Sequence, residues 1–177
     1  LVRRRAGALL SRSDVKLLLD SVGATDPAVL EDLSANGVSP GEVQRVLMTL
    51  LDDGIPVRDL VRILEAISER ARTSRAPDAL VEAARAALGP AISAALSPGG
   101  VLRLATIDPT LEAQLADSFE VTESGAVLQP EIALHEHLVS ELQRVVMAAG
   151  AAGNPAAVAC AAALRPALAR LVRNAAP

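Results

Sequence analysis

The 177-residue chain carries a formal net charge of −4 and a single aromatic residue, Phe119. Because neither half of the chain is basic and aromatic faces for base stacking are almost absent, its composition argues against nucleic-acid binding. Apolar residues make up 51% of the sequence, which predicts a folded core, and the shortage of aromatic side chains favours closely packed helices in that core.

The chain opens with a series of short predicted helices. Residues 3–10 and 13–22 are both predicted to be helical, and in the second stretch Val15, Leu18, Leu19 and Val22 recur at helical spacing. Asp26 is placed to cap a third helix, and Pro27 suits its first helical position. This helix is predicted to end at about Leu33.

Residues 41–67 carry the most regular pattern. Ser39 and Glu42 are spaced as a capping box, which predicts a helix start at Pro40. Gly54 is predicted to end that helix in a left-handed conformation, and Pro56 to redirect the chain into a second helix over residues 57–72. The predicted inward faces are Val43, Val46, Leu47, Leu50 and Leu51 on the first helix, and Leu60, Ile63, Leu64 and Ile67 on the second. With no obvious catalyst in the segment, it is interpreted as a packing or docking device.

A further helix is predicted from Pro77, with Leu80, Val81, Ala84 and Leu88 facing inward. Gly89-Pro90 is expected to stop or kink it. Residues 1–96 are therefore predicted to form a helical bundle subdomain, and the Ser-Pro-Gly-Gly sequence at 97–100 to mark its boundary.

Residues 97–177 are predicted to form a small α/β subdomain, so the fold class is α+β and mostly α. Its predicted strands cover residues 101–107 and 156–161, the second of them buried, with a less regular stretch at 121–128 that is either a loop or carries a strand near 126–128. Its predicted helices run from Asp108 to about Phe119, then over 130–148 and 164–172.

One uncharged stretch, residues 145–164, is nominally long enough to cross a bilayer. Gly150, Gly153 and Pro155 interrupt it, so a helix end, a turn and a second element are predicted instead of a membrane span.

The groups that could carry chemistry are poorly spaced for it. His135 and His137 lie two residues apart, whereas zinc ligands on a helix usually lie four apart. Asp52 and Asp53 are adjacent on a helix and do not converge. Cys160 is the only cysteine, which excludes an intramolecular disulfide. The chain is predicted to be non-enzymatic, with no cofactor, metal or catalytic residue; a small enzyme using His135, Glu136 and Cys160 would require these groups to meet in one pocket.

Several blocks of the sequence resemble the type III protein-export gate family. The longest block, residues 41–67, is similar to the family pattern GxxQxVLxxLLxxGxPIRDLxxILEAL. Shorter matches occur in the family's order over residues 9–20, 80–89, 107–109 and 164–168. The polar or turn positions that match in the longest block are Gln44, Gly54, Pro56, Arg58, Asp59 and Glu65.

The resemblance implies that residues 1–96 and 97–177 are the third and fourth of four cytoplasmic subdomains, the fourth lacking its last strand. It implies a homo-oligomeric ring at the cytoplasmic face of the bacterial inner membrane, attached through membrane segments upstream of this chain. The ring would be a docking platform for export chaperone–substrate complexes and the export ATPase complex. The family's principal chaperone groove, between the first two subdomains, would lie outside this chain.

The candidate protein-interaction residues are Arg58, Asp59, Gln44 and Glu65. One interpretation makes Asp59 a helix-capping residue beside an ordinary surface arginine; the other has Arg58 or Asp59 bridging to a neighbouring subdomain or subunit. The blocks look closer to flagellar than to virulence members of the family. A virulence-type gate and a stand-alone helical adaptor are the alternatives.

Overall fold

The computed structural model describes residues 7–97, 99–122, 125–154 and 156–175, and the chain divides into two compact units, Leu1–Ile92 and Ser93–Pro177. Part of the helix predicted over residues 3–10 lies outside the described residues; the remainder is a short 3-10 helix, Gly7–Leu9. The helices that follow are α1 (Arg12–Thr25), α2 (Pro27–Ala35), α3 (Pro40–Asp52), α4 (Leu60–Ala71), α5 (Pro77–Ala87) and α6 (Gly89–Leu96).

The first unit has one apolar core. In it α4 packs against α2 and α5, and α3 packs against α1 and α5. The fully buried side chains at its centre come from α1, α3, α4 and α5: Val15, Val43, Val46, Leu47, Leu50, Ile63, Leu64, Ile67, Leu80 and Ala84. The predicted inward faces are thus confirmed, except that Leu51 and Leu60 are only half-buried.

The end of α3 is a Schellman turn, as predicted from Gly54. Gly54 has a φ of +74°, which a residue with a Cβ rarely adopts. Its N–H donates to the Leu51 carbonyl (3.0 Å), and the Ile55 N–H donates to the Leu50 carbonyl (2.8 Å). Ile55 is also buried in the core, so both backbone hydrogen bonds and apolar burial hold this turn.

Two helix starts differ from prediction. Asp26 makes no side-chain capping bond, because its N–H donates to the Val22 carbonyl and its backbone, shared between two helices, has φ −136° and ψ 70° rather than the extended geometry of a cap. The helix predicted from residue 57 begins only at Leu60, with Asp59 as its cap.

The second unit contains β1 (Ala105–Thr106), α7 (Pro109–Asp117), β2 (Phe119–Thr122), β3 (Gly125–Leu128), α8 (Ile132–Ala151), β4 (Val158–Ala159) and α9 (Arg165–Ala175). Parallel pairing joins β1 to β4, and antiparallel pairing joins β2 to β3. This mixture, with helix predominating, confirms the predicted α+β class.

The strand predictions were the least accurate part. The strand expected over residues 101–107 is two residues long, because β4 offers it only two partners in register. Phe119 belongs to β2 rather than to α7. The strand expected over 156–161 is present only as the two residues of β4, and its predicted burial is wrong, since Val158 and Ala159 are both exposed. The core of this unit consists instead of helical or helix-flanking leucines: Leu115, Leu138, Leu164, Leu168 and Leu171.

Among the described helices, none is by itself both long and apolar enough to cross a membrane. The pair α5 and α6 passes that test only when taken together, and the two are bent by 66° at the break between them. The inward face of α5 packs in the core of the first unit. The uncharged stretch 145–164 contains the end of α8 and a turn at Gly153, which has a φ of +66°.

The start of α3 is joined to the loop between α4 and α5 by an ion pair. Glu42 completes the predicted capping box with Ser39, and its carboxylate also accepts from the Arg75 guanidinium at 2.9 Å. This hydrogen bond from Arg75 is the main reason that the pKa of Glu42 falls to about 2, from an ordinary 4.5. Since the folded chain holds this carboxyl ionised, the ion pair stabilises the fold above about pH 4.5 and loses its effect as the pH falls to about 2.

We therefore expect Glu42→Gln to lower the free energy of unfolding by about 1 to 2 kcal/mol at pH 7, a value reduced by solvent screening at this partly exposed site. Glutamine can keep the hydrogen bonds of the capping box, so the loss reports the charge of Glu42, chiefly its interaction with Arg75. Urea denaturation of both proteins from about pH 6 to pH 2 checks this, because the difference should shrink towards zero across that range. A difference that stays constant with pH would contradict the assignment.

Candidate protein-interaction site

Residues 55–59 form a rigid connection between α3 and α4. Ile55 is buried and Val57 packs against the same core, whereas the intervening Pro56 and the following Arg58 are exposed. The alternation is that of an extended segment with one face on the core. Ile55, Val57 and the proline between them thus hold the backbone at Arg58. Arg58 lies before α4, and not in the first turn of that helix as predicted.

Asp59 has a defined structural role at the N-terminus of α4. Its carboxylate accepts from the Arg62 N–H at 3.4 Å and pairs with the Arg62 guanidinium at 3.4 Å. A carboxylate here is favoured by the unpaired N–H groups and by the helix dipole. These local contacts agree with the interpretation of Asp59 as a helix-capping residue.

Arg58 is different, since its side chain is exposed and has no ion-pair or hydrogen-bond partner among the residues that the structure describes. A guanidinium presents five donors in a planar fork that fits a carboxylate. These donors are exposed next to a backbone that Ile55 and Val57 anchor on the core.

Gln44 makes its contact within the chain. Its side-chain amide donates to the Leu10 carbonyl at 2.9 Å, which ties the segment before α1 to α3. Gln44 also lines a surface cavity of about 460 Å³ beside α3, together with Arg45, Met48 and Asp52.

Glu65 lines a separate cavity of about 550 Å³ between α2 and α4. Asn36 and Ser68 also line it, and the Asn36 side-chain amide donates a hydrogen bond of 2.9 Å to the hydroxyl of the buried Ser68. The other polar lining residues are Asp32, Glu69 and Arg72. Sequence reasoning selected Glu65 but not these neighbours, although Ser68, Glu69 and Arg72 follow Glu65 at the spacing of one helix face and could have been found by it.

The four predicted residues therefore do not converge in one pocket. Arg58 and Asp59 are neighbours in one turn, while Gln44 and Glu65 line different cavities that share no residue. Arg58 and Asp59 are exposed in the connection between α3 and α4, and Glu65 is exposed on α4.

The groups considered for catalysis lie in the second unit. His135 and Glu136 line a shallow surface cavity on α8 with Val139, Ser140 and Gln143. Cys160 does not line that cavity; it packs, half-buried, against the leucine core. Over the described parts of the chain, no three His, Cys, Asp or Glu side chains are grouped so that they could hold a metal ion.

Comparison with known proteins gives similar sequences along the whole chain. The FHIPEP family matches residues 1–177. The flagellar biosynthesis protein FlhA of Escherichia coli is 32% identical over 178 residues, covering 100% of this chain and 25% of the relative. FlhA of Bacillus subtilis is 29% identical over 144 residues, covering 81% and 21% respectively. The chain thus spans about a quarter of the length of these relatives.

Solved structures share the fold. The nonameric EPEC SctV-C aligns with a TM-score of 0.84 at 20% identity, covering 99% of this chain and 53% of that one. The Shigella flexneri MxiA protein aligns with a TM-score of 0.82 at 21% identity, covering 93% and 53%. The CdsV protein in the Chlamydia pneumoniae CdsV and CdsO complex aligns with a TM-score of 0.81 at 20% identity, covering 97% and 50%.

At these identities the structural matches show a common fold, whereas the family match extends over every residue of the sequence. This chain belongs to the FHIPEP family, which confirms the type III protein-export gate family predicted from its sequence blocks.

Proposed function

We propose that this chain is the C-terminal part of the cytoplasmic region of a flagellar export-gate subunit, acting through protein contacts. The observation that carries the proposal is the similarity to E. coli FlhA over the whole chain, at 32% identity. Residues 1–96 and 97–177 would be the third and fourth cytoplasmic subdomains of such a subunit, a proposal supported by the division of the chain into two compact units, Leu1–Ile92 and Ser93–Pro177. These relatives are about four times as long as this chain, which favours a part of an export gate over a stand-alone adaptor.

We further propose that the subunit forms a ring at the cytoplasmic face of the inner membrane, where it receives chaperone–substrate complexes and the export ATPase complex. Support for the ring comes from the nonameric SctV-C, which shares this fold. The CdsV and CdsO complex makes a CdsO-like protein a candidate partner. The virulence-type alternative rests on these structural neighbours, at 17–21% identity, and the flagellar proposal on curated relatives at 27–35%.

Within this assembly we assign the principal contact to Arg58. The guanidinium is exposed, carries a full charge and follows a backbone anchored by Ile55 and Val57. Little backbone conformational entropy is therefore lost when it binds a carboxylate. Asp59 supports this contact by holding the start of α4. Glu65, in its acidic cavity, is the secondary contact proposed, and Gln44 contributes indirectly through the segment that it ties to α3.

The proposal is tested by replacing the aligned quarter of E. coli FlhA with this chain and measuring motility and flagellin secretion. The chimera is expected to restore both. Arg58→Ala in the chimera should then reduce secretion about tenfold, the effect of losing roughly 1.4 kcal/mol at an interface. Purified Arg58→Ala protein should unfold at the same temperature as the parent, because this exposed side chain makes no hydrogen bond or ion pair with the residues that the structure describes.

Arg45→Ala is the matched control, since Arg45 is another exposed arginine in the first unit. Asp59→Asn removes the charge of this residue but keeps a side chain that can cap α4, so it distinguishes the two contributions. Normal secretion by the Arg58 variant would remove that residue from the interface. The flagellar assignment would be overturned if this chain, folded in both hosts, restored secretion when placed in a virulence gate but not when placed in FlhA.

A further inference from the structure

The residues that lead into α1 are fastened to the surface of α3 at two points. Residues 7–10, which we call the strap, form a single turn closed by the Leu10 N–H donating to the Gly7 carbonyl at 3.0 Å. The Gly7 N–H donates to the Asp52 carboxylate at 3.1 Å, and the Leu10 carbonyl accepts from the Gln44 amide at 2.9 Å. Gln44 and Asp52 lie eight residues apart on α3, roughly 12 Å along its axis.

The contact at Gly7 is too close for any side chain. A Cβ at this position would lie 2.5 Å from the Met48 carbonyl oxygen and 2.6 Å from the Asp52 carboxylate. The backbone of the strap therefore rests directly on α3. In contrast, Leu9 is 73% exposed and Leu10 is only partly buried against the core. Polar bonds to main-chain atoms thus hold the strap, with little apolar burial to support them.

The helix that follows does not depend on the strap. Ser11 caps α1, its hydroxyl accepting from the Asp14 N–H at 3.2 Å, and Asp14 closes the box by accepting from the Ser11 N–H at 2.8 Å. All four groups of this box lie after residue 10. The first turn of α1 can therefore stay closed when the strap leaves α3.

We propose that the strap is a reversible self-ligand of α3. Docked, it occupies the Gln44 amide and the Asp52 carboxylate. Detached, it leaves the capping box of α1 in place and frees both side chains, which line the same cavity of about 460 Å³ with Arg12, Arg45 and Met48. The strap thus controls whether this polar face of α3 is available. This inference concerns the isolated chain and does not rest on the proposed export function.

Amide hydrogen exchange of the 177-residue chain, read by NMR, tests the proposal. In the wild-type protein the Gly7 and Leu10 amides should exchange faster than core amides such as that of Ile55, through local opening. Gln44→Ala and Asp52→Ala should each raise exchange at Gly7 and Leu10 about tenfold, while exchange at the Val15 amide of α1 stays unchanged. Gly7→Ala should act like these two variants, because its Cβ displaces the strap.

Arg45→Ala, on the same helix but with no hydrogen bond to the strap backbone, serves as the control and should leave strap exchange as in the wild type. Thermal unfolding temperatures near that of the wild type verify that each variant is folded. Strap amides that exchange only with global unfolding would overturn the proposal, as would strap exchange unaffected by all three variants. Equal acceleration at Val15 would show that strap and α1 open together, which also overturns it.

Discussion

Leu64→Ala is expected to lower the free energy of unfolding of the first unit by about 2 to 5 kcal/mol. Leu64 is fully buried at the centre of the core, on the helix that packs against both α2 and α5. Truncation removes apolar burial and leaves a cavity that the surrounding helices fill only in part. Urea denaturation followed by circular dichroism measures the loss, which is a large share of the 5 to 15 kcal/mol typical of folded domains.

Leu60→Ala is the matched comparison, because it removes the same atoms from the same helix at a half-buried position. We expect a loss of about 1 kcal/mol, in proportion to the smaller apolar area removed from water. Equal losses for the two variants would mean that burial in the core of the first unit is not what distinguishes these leucines.

Leu115→Ala is expected to have an effect of similar size on the second unit, again about 2 to 5 kcal/mol. Leu115 is the fully buried member of a cluster otherwise formed by Leu138, Leu164, Leu168 and Leu171. Because this core is small, one truncation removes a large fraction of the apolar burial that holds α7, α8 and α9 together. Hydrogen exchange should show protection falling in all three helices.

Leu104→Ala provides the control in the same unit. Leu104 is 47% exposed, so its truncation should change the free energy of unfolding by no more than about 0.5 kcal/mol. If protection in α7 to α9 survives Leu115→Ala unchanged, the leucine cluster is not the core of this unit.

The segment from Ser39 to Ile67 was predictable because its signals are local. A capping box needs only residues three apart, and a Schellman turn needs a glycine after the last helical residue. Helical spacing then identified Ile63 and Leu64 as core residues, and both are buried. Each of these signals depends on the backbone within one or two turns, so the sequence contains it in full.

Other features depend on contacts between distant residues. Gln44 matched the family block as a candidate for protein interaction, yet its amide meets a carbonyl 34 residues earlier in the chain. The apolar alternation at 101–107 resembled a strand, but strand length is set by the partner, and β4 provides only two residues. Asp26 has the residue type of a cap, but its backbone is shaped by ending one helix while starting the next.

By itself, the sequence determined the family, the helical character of the first unit, most residues of its core and the break between α3 and α4 at Gly54 and Pro56. Only the tertiary structure decided that Asp59 caps α4 while Arg58 stands exposed outside it, and that Glu65 and Gln44 face separate cavities. The physical reason is range: capping and periodicity act over a few residues along the chain. Exposure, cavities and hydrogen bonds such as that from Gln44 to Leu10 exist only after helices far apart in sequence have packed together.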